Sequence, residues 1–286
     1  VPGEKYSTTQ PFPTRPAAYE RQGLAIDDLI DFTPELRAAA VKAIAPYKIG
    51  PVFTPPVVSR AEGPIATLQM ASQAAATNWP GGSYDPETHV LYVNSQSAVA
   101  TLGLVPPPPG AAPDVRYHQG TVLAGPRTSG GSGASGGGGA AVTAPTVQGL
   151  PLIKPPYGRI SAISLDTGNI LWQVPHGDTP DAIRNHPALK GVNIPRTGRP
   201  GHVGSLVTRT LVISGEPGFG TTGSGQRGAM LRAYDKKTGA DAGAVYMPAP
   251  QTGSPMTYTL NGRQYLVVAI SGGSYSGELL AFRLPG

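Results

Sequence analysis

"AISLDTG", Ala162 to Gly168, ends an apolar run in a small polar turn, and "AYDKKTG", Ala233 to Gly239, repeats the frame A-x-x-x-x-T-G. A related D-x-x-T turn lies in "YDPETHVLYV", residues 84–93. Short strands punctuated by such turns at long intervals point to a radial repeat, the β-propeller. Strand-forming runs fall at 84–86, 90–94, 97–103, 121–124, 159–164, 170–174, 203–207, 210–214, 229–234, 243–247, 255–260, 263–270 and 278–283, with two weaker ones between 52 and 79. At ~40–50 residues per four-stranded blade, they fill roughly three and a half blades. The expected fold is all-β, about half a ring of antiparallel four-stranded blades.

Outward from these turns, "SPMTYTLNGRQYLVVAISGG" (254–273) reads as a hairpin about Asn261-Gly262, because both turn residues accept positive φ. It runs into Ser271-Gly272-Gly273-Ser274, where small residues suggest close approach by a backbone or a ligand. Near the other end, Thr33 is a good N-cap, Pro34 suits the first helical position, and "PELRAAAVKAIAP" forms one short helix that stops near Pro46. Leu36, Ala39, Ala40, Ala43 and Ile44 make its apolar stripe. The expected organisation is a single partial propeller over 1–286: an irregular and helical excursion over 1–51, blades over 52–286, and a Gly/Ser-rich surface loop at 129–141.

Composition agrees. The 286 residues include 39 Gly and 32 Pro, and only 14% are charged, a mixture that opposes helical bundles and favours strands and turns. No apolar run reaches the ~18 residues of a membrane span. The opening "VPGEKYSTTQPFPTRP" has no apolar signal core. With no cysteine there are no disulfides and no thiolate metal sites. The net charge of +5 is spread along the chain and not clustered with aromatics, which argues against nucleic-acid binding. A half ring would leave sheet faces and edges uncovered. The remaining blades are therefore expected from a longer polypeptide or a complementary chain, and the start at Val1 without Met favours the first.

Three other motifs fail on context. His176, Asp178, Asp181 and His186 share one Pro-bounded loop, but their spacing matches no familiar zinc motif, and a solvated loop is the expectation. "GASGG" (133–137) fits G-x-S-x-G only within low-complexity sequence. "GFGTTG" (218–223) fits G-x-G-x-x-G, yet the next element reads as a strand, so no helix end is present to hold a phosphate.

The blocks "VPGE…TQPFPTRP", "DLIDFTPELR", "TNWPGGSYDPETHVLYVNS", "GRISAISLDTGNILWQVPHGD", "LRAYDKKTG" and "GSPMTYTLNGRQYLVVAISGG" resemble, in order, the PQQ-dependent quinoprotein dehydrogenases, above all the membrane glucose dehydrogenase branch. The resemblance implies an eight-bladed propeller, of which this chain would be roughly the C-terminal half, held by tryptophan-docking motifs of the form A-x-D-x-x-T-G-x-x-x-W. Ala162, Thr167, Gly168 and Trp172 match, with Ser164 in place of the Asp; Ala233, Asp235, Thr238 and Gly239 match without the Trp. Trp172 is then a structural plate between blades. The resemblance also implies a PQQ cofactor near the propeller axis, with Asn78 and Trp79 of "TNWP" as contacts and Ser274 and Tyr275 as further candidates where the branch has other residues, including a His. The family's Asp base and its divalent metal ligands, usually for calcium, would precede Val1, so this chain would hold no catalytic and no metal-ligating residue and would be inactive alone. An aldose or alcohol substrate, a quinone or cytochrome acceptor and a periplasmic location on a bacterial inner membrane follow from the same resemblance. The alternative is a non-catalytic propeller used for binding or as a scaffold.

Overall fold

The computed structural model describes residues 5, 7–70, 75–107, 109–110, 115–123, 125–126 and 144–283. In chain order its strands are β1 (Val57–Val58), β2 (Thr67–Gln69), β3 (Gly82–Asp85), β4 (Val90–Gln96), β5 (Ala100–Val105), β6 (His118–Thr121), β7 (Gly125–Pro126), β8 (Gly158–Ser164), β9 (Ile170–Pro175), β10 (Leu206–Val207), β11 (Leu211–Gly215), β12 (Gly220–Thr221), β13 (Arg227–Asp235), β14 (Asp241–Met247), β15 (Met256–Leu260), β16 (Arg263–Gly272) and β17 (Tyr275–Arg283). They fall into two compact units, one drawn from residues within 1–12, 20–76 and 97–154, the other from 13–19, 77–96 and 155–286.

In the first unit β5 is central. It pairs in antiparallel fashion with β2 and β6, while β1 joins it in parallel, a departure from the all-antiparallel expectation. Helix α1 (Pro34–Ile44) starts as its sequence predicts: the Thr33 hydroxyl accepts the Leu36 N–H at 3.2 Å, and Leu36, Ala40 and Ile44 are buried. Leu24, Leu29, Ile30, Leu68, Leu150 and Ile153 fill this unit's interior.

The second unit is three sheets. The first is β3–β4–β8–β9, the second β10–β11–β13–β14 with β12 paired to the start of β13, and the third β15–β16–β17. Alternation along each strand gives a sheet two faces, and here facing rows interlock. Val90, Tyr92, Ile160 and Ala162 of the first sheet meet Val212 and Tyr234 of the second. Ala229, Leu231 and Met247 of the second meet Leu266, Val268 and Ile270 of the third. Asn261 and Gly262 turn the β15–β16 hairpin at φ of 50° and 73°, as the Asn-Gly pair predicts.

The three related turns explain why this stack forms. Asp235 Oδ1 accepts the Lys237 N–H (3.0 Å), the Thr238 N–H (2.9 Å) and the Thr238 hydroxyl (2.9 Å). Asp85 does likewise for the Glu87 N–H and the Thr88 hydroxyl. Where the repeat has Ser164, its hydroxyl accepts the Thr167 N–H at 3.3 Å, so serine keeps the turn with one bond. The turn at Asp235 leaves one backbone carbonyl to the neighbouring sheet.

That carbonyl is Lys236 O. It accepts the Trp172 indole N–H and the Tyr92 hydroxyl, each at 3.1 Å, both from the first sheet. The Trp172 ring lies against Gly239, where an added Cβ would come within 2.7 Å of a ring carbon. The Lys236 side chain returns to the first sheet, donating to Asp85 Oδ2 at 2.7 Å with both side chains only 6% exposed. Burial works to raise the Asp85 carboxyl, but hydrogen bonds from Lys236, Thr88 and Glu87 outweigh it and hold it below the usual range.

Thirteen predicted strand positions reappear with shifted ends. The 203–207 run shrinks to Leu206–Val207, because Gly201 and Gly204 press their backbone against Pro217 and Ser254 and leave no room for a ladder. β12 escapes sequence reading because Gly220 has no strand propensity; glycine stands there since a side chain would collide with the Arg199 guanidinium. As expected, "GFGTTG" leads into strand β13 and not into a helix. The 129–141 tract and the "GASGG" motif lie outside the described residues.

Replacing Trp172 with Ala removes both the plate and the bond to Lys236 O; denaturant unfolding should register a loss of about 3 kcal/mol. Gly239→Ala, at φ 73° and against the ring, should cost about 2 kcal/mol. Losses below about 0.5 kcal/mol for both would show that the docking contributes little.

Candidate functional site

The strands β3, β10 and β15 each open their sheet, and each is entered through a polar loop. Ahead of β3, the Thr77 hydroxyl donates to Asn94 O at 2.9 Å and fixes the loop to β4. Asn78 Oδ1 then accepts the Trp79 N–H (2.8 Å), and Asn78 O accepts the Gly81 N–H (2.9 Å) at a left-handed Gly81. This tight turn leaves Asn78 exposed and Trp79 88% exposed. An indole so bare is unusual in a packed domain, where aromatic rings ordinarily carry the buried area.

The third sheet contributes the other two candidates. β16 ends at Gly272 and β17 begins at Tyr275, so Gly273 and Ser274 are the turn between them. The question raised by the small residues has a local answer. Gly272 and Gly273, at φ 147° and 56°, pass beside the Phe219 ring, which an added Cβ would meet at 3.3 and 3.6 Å. Arg227 covers Phe219 at 3.7 Å from the ring centroid. Ser274 is exposed; the Tyr275 hydroxyl donates to Glu278 Oε2 at 2.9 Å, which together with that carboxylate's charge raises the phenol above its ordinary range.

Hydrogen bonds place these loops along one edge of the stacked sheets. Gln96, the last residue of β4, sets its amide nitrogen 3.3 and 3.5 Å from the two ring nitrogens of His202, ahead of β10. Gly204 O accepts from Ser214 and from Gln251, whose Oε1 in turn accepts the Gly215 N–H at 2.6 Å. Ser271 N–H donates to Pro250 O. Asn78, Trp79, Ser274 and Tyr275 therefore share that edge. Asn78 and Trp79 contact each other within their loop, and Tyr275 contacts Glu278 within β17.

Below the edge lies a polar cluster that sequence reading missed. Glu216 is 2% exposed, and its Oε1 accepts the Arg232 Nε–H (2.8 Å) and the Asp178 N–H (3.0 Å). Arg232 also pairs with Asp178 at 3.0 Å. Burial disfavours the Arg232 cation, but Glu216 and Asp178 overcome it and raise its pKa. Buried charges in this number are tolerable because each is paired and hydrogen-bonded.

His176 belongs to this interior. Its Nε2–H donates to Gly215 O at 3.0 Å, which leaves Nδ1 to accept the Tyr234 hydroxyl at 3.0 Å, so the imidazole is neutral. Burial pushes it down to about 4, against the raising influence of Gly215 and Glu216, and pushes the Tyr234 phenol up to about 12. The 176–201 segment is thus solvated only in part: His176 is buried, while Asp178, Asp181 and His186 are half-buried and exposed residues alternate with them. Asp178 faces Arg232, Asp181 accepts from Thr221, and the His186 ring caps the Ala188 N–H, so the four residues do not converge. Among the described residues no group of three or more His, Cys, Asp or Glu is placed to hold a metal ion, and no helix is long and apolar enough to cross a membrane.

A stack of antiparallel sheets joined by a docked tryptophan, with polar loops gathered on one edge, is the arrangement of β-propeller blades. The sequence model of the family "PQQ: Glucose/ethanol/alcohol dehydrogenase, beta-propeller domain" matches residues 1–266, and the chain belongs to that family. It is 28% identical to the glycerol dehydrogenase large subunit of Gluconobacter oxydans (strain 621H), covering 100% of this chain and 38% of that protein. It is 26% identical to quinoprotein glucose dehydrogenase A of Acinetobacter calcoaceticus (99% and 33%) and 25% identical to the quinate/shikimate dehydrogenase (quinone) of Acinetobacter baylyi (97% and 32%). Among solved structures it is similar to the quinohemoprotein alcohol dehydrogenase ADHIIG of Pseudomonas putida HK5, with a TM-score of 0.41 and 16% identity over 74% of this chain and 24% of that one. The chain spans about a third of the length of the curated relatives it matches.

His176 gives stability a pH dependence of known sign. Its pKa of about 4 in the fold against 6.5 when unfolded means that the unfolded chain binds the extra proton first, so stability is complete above pH 6.5 and falls toward pH 4. Unfolding titrations across that window should show a loss on the order of 3 kcal/mol from this group. In His176→Asn the slope should flatten by that amount; an unchanged slope would contradict the buried neutral imidazole.

Proposed function

We propose that this chain supplies part of the PQQ site of a dehydrogenase that oxidises an aldose or an alcohol at a CH–OH carbon. The match of the PQQ propeller family over residues 1–266 carries this reading. Asn78 and Trp79 fit the cofactor chemically. Among the described residues nothing takes the Asn78 amide nitrogen, which suits a carboxylate or quinone oxygen, and the bare Trp79 indole offers a flat apolar face to a planar tricycle. Ser274 offers a hydroxyl donor on the same edge, and Tyr275, whose O–H goes to Glu278, offers its ring; the two complete the proposed set of cofactor contacts. When bound, PQQ supplies the two-electron acceptor for the substrate carbon.

The rest of the site belongs, on this reading, to remaining blades on the same polypeptide or a complementary chain. They would bring the Asp base and the ligands of a calcium or other metal ion. The outward face of the third sheet supports this. Met256, Val267 and Ala281 align across β15, β16 and β17, with Tyr258 and Tyr265 beside them in parallel stacking at 5.2 Å, and Leu279 is 74% exposed. An apolar row of this size matches the rows that fill the two inner interfaces, and bare it would promote aggregation. Electrons would pass to a quinone or cytochrome on the periplasmic side of a bacterial inner membrane. The competing reading, a non-catalytic propeller, draws on Ser164 and on Gly243 standing where the second docking tryptophan would be.

Titrating the complete propeller with PQQ and calcium, followed by quinone absorbance, should give saturable binding that Asn78→Ala weakens about tenfold. This chain alone should show no dye-coupled dehydrogenase activity. Absence of saturable PQQ binding by the unsubstituted protein would overturn the reading in favour of the scaffold.

A further inference from the structure

In the first unit, Phe53 stands where its backbone disfavours it. The Thr54 N–H donates to Pro51 O at 3.1 Å and closes a turn with Phe53 as its third residue, at φ 68°. Val52 before it is not left-handed, so this is the place that a type II turn gives to glycine, and a bulky side chain there strains the chain. The turn is held from both ends. Gly23, left-handed and too close to Gly50 and Pro51 for any Cβ, backs its start, with the Leu24 N–H on Gly50 O at 2.8 Å. Its end is fixed by the Gln69 amide on Thr54 O and by the Thr67 hydroxyl on Pro55 O. Strain maintained by so many bonds points to a use for the side chain it presents.

What it presents is a ring in the open. Phe53 is 63% exposed, and the ring it meets is that of Phe12, 51% exposed, edge to face at 6.0 Å. Ser7 to Phe12 are exposed at every residue, so the two rings cover each other in part and are covered by little else. The chain around them is uncharged, with no acidic or basic residue in 6–14 or in 49–59. That composition selects the partner. A lipid or nucleic-acid surface is met by Lys and Arg set beside the rings, whereas the centre of a protein interface is rich in aromatics and poor in charge. The chain spans about a third of the length of its curated relatives, so further polypeptide of the same protein is the partner in supply.

We propose that Phe12 and Phe53 are an aromatic anchor for a segment of the same protein lying outside residues 1–286, which covers both rings in the complete protein. The inference rests on the functional reading above only in requiring that further polypeptide, and not in the cofactor. The strained turn then has a purpose: it fixes one ring outward, at no loss of side-chain freedom on docking, and the second ring sets its angle.

The test is photo-crosslinking of the complete protein carrying Phe53→p-benzoylphenylalanine, with the joined peptides identified by mass spectrometry. The expected result is crosslinks to peptides of the same polypeptide outside residues 1–286. Thermal unfolding of Phe53→Asn and Phe53→Gly in the complete protein gives a second readout. Both residues accept a left-handed φ, as Asn261 and Gly262 already do, so both keep the turn and remove its strain. A covered ring predicts that both variants nevertheless melt about 2 °C or more below the parent. Crosslinks only to lipid, to an unrelated protein or to nothing would overturn the proposal, as would variants that melt at or above the parent, since a bare ring leaves only strain to be relieved. Failure of the unsubstituted protein to bind PQQ would overturn the cofactor reading and leave this one standing; normal PQQ binding without the crosslinks would overturn this one alone.

Discussion

A single backbone carbonyl, Lys236 O, organises the second unit. It receives an indole N–H and a phenol O–H from the neighbouring sheet, and its own side chain crosses back to a buried carboxylate. Sheets packed only by apolar rows are free to slide, because the hydrophobic effect has no direction. The Trp172 ring seated on Gly239 and the bonds to Lys236 O fix one register. A charge pair as buried as Lys236 and Asp85 contributes little net stability over an apolar substitute. Its value here is that any other sheet placement leaves two charges unpaired in the interior.

Fixing the first two sheets fixes the edge where the loops meet. Val212 and Tyr234 face one interface while Leu231 and Met247 face the other, so the second sheet transmits its position to the third. The Glu216–Arg232–Asp178 cluster and neutral His176 occupy the level between the apolar rows and the loops. They tie β9, β11 and β13 together with directional bonds, and they let a loop rich in charged residues enter the interior without orphaned charge. Trp79 and Asn78 stand above this level on a turn closed by its own backbone, which keeps their side chains out of the packing and available to a ligand.

Much of this was legible in the sequence. Strand-forming runs and Asn261-Gly262 gave the hairpin, the Thr33-Pro34 pair gave α1, and the family resemblance carried by Ala162–Trp172 gave the docking tryptophan. What stayed hidden was partnership across sheets. Lys236 carries no signal in the sequence, because nothing local says that its carbonyl and ammonium are claimed by Tyr92, Trp172 and Asp85. His176 and Asp178 looked solvated because their partners, Gly215, Tyr234 and Arg232, lie in other strands. The strand after "GFGTTG" already ruled out a phosphate loop, but nothing local shows that Gly220 makes room for the buried Arg199.

The chain contains two tryptophans in opposite circumstances, one docked and one bare. Hydrogen exchange of the two indole N–H groups by NMR therefore tests the central claim directly. The account predicts one indole proton, that of Trp172, protected to the level of the core strands, and the other, that of Trp79, exchanging at the rate of a free side chain. Two fast-exchanging indoles would mean that Lys236 O holds no tryptophan and that the sheets are joined by something else.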